Sequence, residues 1–157
     1  MLEQVKTGDH HHLIVSDEIG QLDALADALA RTGSLWTEVP ELDNPFPPIF
    51  TMTGQVKGKE RVAIKAAIER SKSAIIFATV AKEGLDIPAV DRIYLPFPTN
   101  NPAKVQQWIG RGTRIHEGKA DIIVFDFFDV LISVFRKQFR NRRFKCYDQL
   151  NLEVDLG

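Results

Sequence analysis

The run Ala74-Ile75-Ile76-Phe77-Ala78 constrains this chain more than any other stretch. Its apolar residues are consecutive, with no polar position to face solvent, so it reads as a strand buried on both sides at the centre of a parallel sheet. Parallel neighbours cannot be joined by a hairpin and need a crossover, usually helical. The remaining sequence supplies such units in series. Leu13-Ile14-Val15 reads as a short buried strand closed by Ser16-Asp17. Ile19, Leu22, Leu25, Ala26 and Leu29 then recur at helical spacing, with acidic residues in the first turn and Gly33 as the stop. Residues 49–52 form the next strand, Thr53-Gly54 turns out of it, and a helix over about 59–71 carries a stripe of Ala63, Ile64, Ala67 and Ile68.

Two more strands are expected at 90–95 and 121–126. A helix over about 102–110 has Pro102 well placed in its first turn. A closing helix over about 128–145 would turn Leu131, Ile132, Phe135 and Phe139 inward. Strands alternating with helices imply an α/β fold with a mainly parallel central sheet covered on both faces. Ligands of such sheets gather at the carboxyl ends of the strands. The expected organisation is a polar leader at 1–12, one domain at 13–147 and a tail at 148–157, with a proline-rich connection at 34–48 inside the domain.

Composition excludes several classes. The net charge of −1 gives no global basic field, so any nucleic-acid contact must come from a local patch. Cys146 is the only cysteine, which rules out an internal disulfide. No apolar run approaches the roughly 20 residues of a membrane helix, and the first residues lack a signal-peptide pattern. A soluble cytoplasmic protein without a membrane partner is the expectation. His10-His11-His12 suggests metal ligation, but only His116 remains elsewhere to extend the set, so no metal site is expected. The stretch from Gly54 to Glu60 sits between strand and helix and contains Gly58-Lys59. It is one residue short of a phosphate-binding P-loop and lacks the hydroxyl that would hold magnesium.

Chemistry concentrates in Gln106-Gln107-Trp108-Ile109-Gly110-Arg111-Gly112-Thr113-Arg114. Arg111 and Arg114 would project from neighbouring positions at one end of a helix. Guanidinium stays charged at any working pH, and its planar fork of donors fits phosphate oxygens. Thr79, Gly84 and Asp86 also follow strand ends and are expected to line the same edge.

Three stretches together resemble the second RecA-like domain of a superfamily 2 helicase or translocase. Leu13 to Leu29 is similar to the motif IV strand and helix. Ala78-Thr79 through Gly84-Leu85-Asp86-Ile87-Pro88 resembles motif V, A-T-x-x-x-x-G-[LIV]-D-[VI]-P. Gln107-x-x-Gly110-Arg111-x-x-Arg114 matches motif VI, Q-x-x-G-R-x-x-R, at every defined position. The resemblance covers about 10–147 and implies a three-layer RecA-like domain of the P-loop NTPase type.

It also implies roles. Arg114 would be an arginine finger beside the γ-phosphate of ATP, Arg111 would contact phosphate next to it, and Gln107 would help order the attacking water or the phosphates. Arginine fingers contribute roughly 10³–10⁵ in rate. Gly84, Asp86 and Gly110 would lie at the nucleotide edge, with Asp86 accepting from the ribose or bracing an arginine. Thr79, and with it Thr53 and Gly54, would hold the backbone of a nucleic acid, a contact that carries no sequence information. The chain contains neither a P-loop nor a D-E-x-H or D-E-x-D box. ATP and Mg²⁺ would therefore be held mainly by an N-terminal RecA-like domain, and this chain alone should not hydrolyse ATP.

Gln107 and the spacing from Thr79 to Gly84 look more like DNA-directed phage, restriction or repair motors than RNA helicases. Arg136, Lys137, Arg140, Arg142, Arg143 and Lys145 interleave with Phe135, Phe139 and Phe144. They form either a phosphate track or the solvated face of an amphipathic helix. A non-catalytic nucleic-acid-binding or adaptor domain, and an unrelated enzyme that binds a phosphorylated metabolite, are the competing readings.

Overall fold

A computed structural model describes residues 8–36, 46–79, 87–97, 99–112, 119 and 121–155, with the backbone alone at 34–36 and 111–112. Residues 74–79 form the buried interior strand their composition demands, but they lie one place from the centre of the sheet, which residues 11–16 occupy. Five strands, β1 (His11–Ser16), β2 (Ile49–Met52), β3 (Ala74–Thr79), β4 (Arg92–Leu95) and β5 (Ile123–Asp126), pair in the order β2-β3-β1-β4-β5. Every pairing is parallel.

Side chains of a strand alternate between its faces, and both faces here are buried. Leu13, Val15, Ile76, Ala78, Ile93 and Leu95 belong to one cluster, whereas Ile14, Ile75, Phe77 and Tyr94 belong to the other. Helix α1 (Ile19–Trp36) covers the second face with Leu22 and Leu29. Helices α2 (Gly58–Arg70) and α3 (Pro102–Gly112) cover the first with Ile68 and with Val105, Trp108 and Ile109. The result is the three-layer α/β architecture expected from the alternation of elements. Each of these large apolar side chains contributes about 1.5–3 kcal/mol by leaving water.

Several boundaries depart from expectation for definable reasons. β1 opens at His11 rather than Leu13, and both His11 and His12 are buried. Asp91 makes this possible. Its carboxylate accepts from the His11 amide at 3.0 Å and from His10 Nδ1 at 2.7 Å. β4 and β5 are shorter than expected at their amino ends, where Arg92 Nη1 donates to Asp121 Oδ1 at 2.8 Å.

Gly33 does not stop α1, which continues to Trp36. A Cβ at Gly33 would lie 2.8 Å from a ring carbon of Phe46, so the residue is a seat for that ring. The closing helix α4 (Ser133–Arg142) begins later than expected, and Leu131 and Ile132 face solvent instead of the core. Asp129 explains the delay. Its carboxylate accepts from the Leu131 amide at 2.8 Å, forming a local turn that competes with helix initiation.

Past α4 the chain widens into a π-helical turn at Arg143–Tyr147, then a 3₁₀ turn at Asp148–Leu150 that ends at Asn151 in the left-handed region. Leu150, Leu152 and Val154 pack against the core cluster. No helix among the described residues is long and apolar enough to cross a membrane.

Candidate functional site

The strand order places the ends of β2, β3 and β1 side by side at the carboxyl edge of the sheet. Ser16 is in register with Thr79, and Met52 with Ala78. Thr79 Oγ1 accepts a hydrogen bond from the Gly54 amide at 3.2 Å. Because the hydroxyl acts there as an acceptor, its own proton remains available to an incoming acceptor.

Thr53 is buried and shapes the turn between them. Its Oγ1 accepts from the Gln55 amide at 3.4 Å, and its carbonyl from Arg61 Nη2 at 3.1 Å. Gly54 is exposed, and a Cβ there would meet nothing within 4 Å. Three residues named from the sequence, Thr53, Gly54 and Thr79, therefore form one contiguous corner.

α3 carries the second group. Asn101 caps it, with Oδ1 accepting from the Lys104 amide at 3.2 Å, and Pro102 follows as its first residue. Val105, Trp108 and Ile109 recur at three- and four-residue spacing and turn inward, which leaves Gln107 and Gly110 exposed on the outer side. Lys104 Nζ lies 2.9 Å from Asp17 Oδ2, linking the start of α3 to the loop after β1. Arg111 lies in the last turn of α3, where only the backbone is described. Arg114, Gly84 and Asp86 lie outside the described residues.

One ion pair at this edge was misread from the sequence. Arg142, assigned there to a solvated or phosphate-tracking run, is fully buried. Its Nε and Nη2 each donate to Asp126 at 2.8 Å, and its Nη1 donates to the Thr99 carbonyl at 2.6 Å. Tyr147 adds a hydroxyl donor to Asp126 at 2.6 Å, and burial pushes the Tyr147 pKa upward. Arg142 thereby ties the end of β5 to the segment leading into α3. The available signal was Asp126 itself, since a carboxylate at the end of an apolar strand needs a partner once its side chain is buried.

The histidine run lies at the opposite, amino edge of the sheet. His11 Nε2 donates to the Ile68 carbonyl at 3.2 Å, and His12 Nδ1 lies 3.2 Å from the Tyr94 hydroxyl. No group of three or more potential metal-ligating side chains occurs among the described residues. Burial raises the Cys146 pKa to about 11, which keeps that thiol protonated and unreactive.

The model of the helicase conserved C-terminal domain matches residues 4–116. The chain belongs to that family. The putative mitochondrial ATP-dependent helicase irc3 of Schizosaccharomyces pombe is 37% identical over 79 residues. That match covers 50% of this chain and only 13% of the relative.

Solved structures share the fold of this helicase C-terminal domain. The C-terminal part of the Fun30 ATPase domain has a TM-score of 0.64 at 16% identity, over 94% of this chain and 41% of that one. T4 UvsW gives 0.62 at 18%, over 94% and 30%. Domain 2 of the DEAD-box helicase Mss116p, bound to an RNA duplex, gives 0.59 at 19%, over 80% and 44%. The chain thus spans less than half of each of these structures and a small part of the curated relative. It is a helicase C-terminal domain, the counterpart of the second domains of ATP-dependent helicases.

Proposed function

We propose that this helicase C-terminal domain is the second motor half of an ATP-dependent translocase or helicase that works on DNA. The observation that carries the reading is the Gly54–Thr79 corner at the carboxyl edge of the sheet, open to solvent at Gly54; the exposed Gln107–Gly110 face of α3 supports it.

In this reading Arg114 is the finger that meets the γ-phosphoryl group of ATP held by an N-terminal RecA-like domain. Arg111 grips the adjoining phosphate, and Gln107 orients the attacking water or the phosphates. Gly84, Asp86 and Gly110 border the nucleotide. Fixed positive charge placed where negative charge develops is the contribution this half makes, and it requires no reorganisation at the moment of reaction. Mg²⁺, held by the other half, would neutralise the remaining phosphate charge.

The Thr79 hydroxyl, with its proton unspent on Gly54, donates to a backbone phosphate of the strand. Thr53 contributes by shaping the turn that presents Gly54. Closure of the two halves on ATP and their release after hydrolysis would move this corner along the strand. The cytoplasm is the proposed compartment, although the curated relative is named as mitochondrial.

ATP turnover by this chain fused to its N-terminal half, with single-stranded DNA present, tests the reading. Turnover should require both halves and fall by about a hundredfold or more in Arg114→Ala, where an arginine finger at full effect supplies roughly 10³–10⁵. Equal rates in the two proteins would overturn it in favour of a non-catalytic adaptor, and hydrolysis by this chain alone would overturn the division of the site between two halves.

A further inference from the structure

β5 is an edge strand. Ile123 and Phe127 direct their amides to the Asp91 and Leu95 carbonyls on the β4 side. Strand alternation therefore turns the backbone groups of Val124 and Asp126 the other way, where no strand pairs with them among the described residues. A groove of about 1050 Å³ runs along this edge, bounded by β5, α4, the π-helical turn and residues 152–155. Apolar side chains emerge around it. Phe127 is 50% exposed, Val130 59% and Phe144 62%.

The groove also has a sign. Residues 133–147 carry six basic side chains and no acidic one. Among the described residues Arg142 alone of the six is ion-paired. Arg140 and Arg143, both lining the groove, have no carboxylate partner there.

The chain supplies a sample of what fits. Leu152-Glu153-Val154-Asp155 lines the same groove, with Leu152 and Val154 half-buried against the core and Glu153 and Asp155 exposed. Among the described residues this segment makes no backbone ladder with β5. Its amide bond at Leu152 goes to the Tyr147 carbonyl instead.

We propose that the β5 edge is a docking surface for an extended segment of a partner polypeptide, one that alternates apolar and acidic residues and adds as a further strand beside β5. Free peptide groups on an edge strand are matched by another backbone, and alternate side chains then read the groove. Apolar residues of the segment would enter beside Phe127 and Phe144, and its carboxylates would meet Arg140 and Arg143. A sugar–phosphate chain would use the cations but leave Phe127, Val130 and the strand edge unmatched. Isologous pairing with a second copy would set two cationic helices along one seam.

The test titrates the whole chain against a fluorescein-labelled synthetic peptide of about eight residues, a common strand length, in which Leu or Val alternates with Glu or Asp. Anisotropy should show saturable binding that weakens about tenfold or more when attraction becomes repulsion in the R140E/R143E double variant. A peptide with Lys in place of the acidic residues should not bind. Val124→Pro removes an outward amide without breaking a β4 bond, and should abolish binding while leaving the circular dichroism spectrum unchanged.

The surface substitutions at Arg140 and Arg143 keep the test decisive if the proline variant does not fold. Absence of saturable binding, or equal affinity for the acidic and basic peptides, would overturn the proposal. So would equal affinity of wild type and the charge-reversed variant. Preferential saturation of these residues by a single-stranded oligodeoxynucleotide would assign the face to nucleic acid instead. A concentration-dependent dimer in sedimentation would assign it to self-association.

Discussion

Arg142 and Asp126 form a bidentate pair across 16 residues of sequence, with both contacts at 2.8 Å and the arginine fully removed from solvent. The remaining guanidinium nitrogen, Nη1, donates to the Thr99 carbonyl, and Asp126 also accepts from the Tyr147 hydroxyl. A charge so placed matters mainly through what its removal would expose. Without its partner, Asp126 would be a buried anion with only the Tyr147 hydroxyl left to hold it.

Arg142→Ala is therefore expected to destabilise the domain by about 3–5 kcal/mol, the usual consequence of breaking a buried pair from one side. Arg142→Lys should recover only part of that, because an ammonium cannot span both carboxylate oxygens and the Thr99 carbonyl. Urea denaturation followed by circular dichroism checks both. A loss within about 0.5 kcal/mol for the alanine variant, typical of a surface change, would contradict the arrangement.

His12 predicts a pH dependence of stability. Burial lowers its pKa from 6.5 to about 4, with His10, Arg92 and His11 acting in the same direction and Asp91 against them. The unfolded chain takes up this proton at higher pH than the folded one, so stability rises with pH between these values. The contribution is fully present above 6.5 and is lost progressively as the pH falls towards 4, to a limit of roughly 3 kcal/mol. In His12→Asn the denaturation midpoint should change less over that window than in wild type. Parallel curves for the two proteins would remove His12 as the cause.

Thr79→Val separates contact from scaffolding. Valine matches threonine in shape but cannot accept from Gly54 or donate to a phosphate. Stability should fall by about 1 kcal/mol or less, since the site is only half-buried. Affinity of the two-domain motor for an oligonucleotide should drop by about ten- to a hundredfold, as expected for a lost hydrogen bond to a charged group. The loss should be alike for oligonucleotides of different sequence. Unchanged affinity in a filter-binding assay would mean that the corner does not touch the strand.

The elements that position these residues were legible in the sequence to different degrees, for physical reasons. Residues 74–78 could only be a buried strand, and Val105, Trp108 and Ile109 behind Pro102 could only be one face of a capped helix. Gly54 and Thr79 could be named as strand-end residues, but their contact depends on β2 lying beside β3, which no local spacing specifies. His11, His12 and Arg142 were unreadable as core because their burial is made tolerable by distant groups, Asp91, Tyr94 and Asp126. Leu131 and Ile132 misled for the opposite reason. Their apolar character is real, but Asp129 fixes a turn before the helix can bring them round.

The position of β1 has a consequence for synthesis. Of the described strands of this sheet β1 is synthesised first, yet it lies at the centre. His11 finds its carboxylate partner 80 residues downstream. At a typical elongation rate of about 5–20 residues per second, β1 would wait for seconds with both edges open, longer than the roughly 0.1–100 μs in which chains collapse non-specifically. Of the described strands, β1 therefore waits longest for both its neighbours, and a pause in translation before β4 would lengthen the exposure of Leu13-Ile14-Val15.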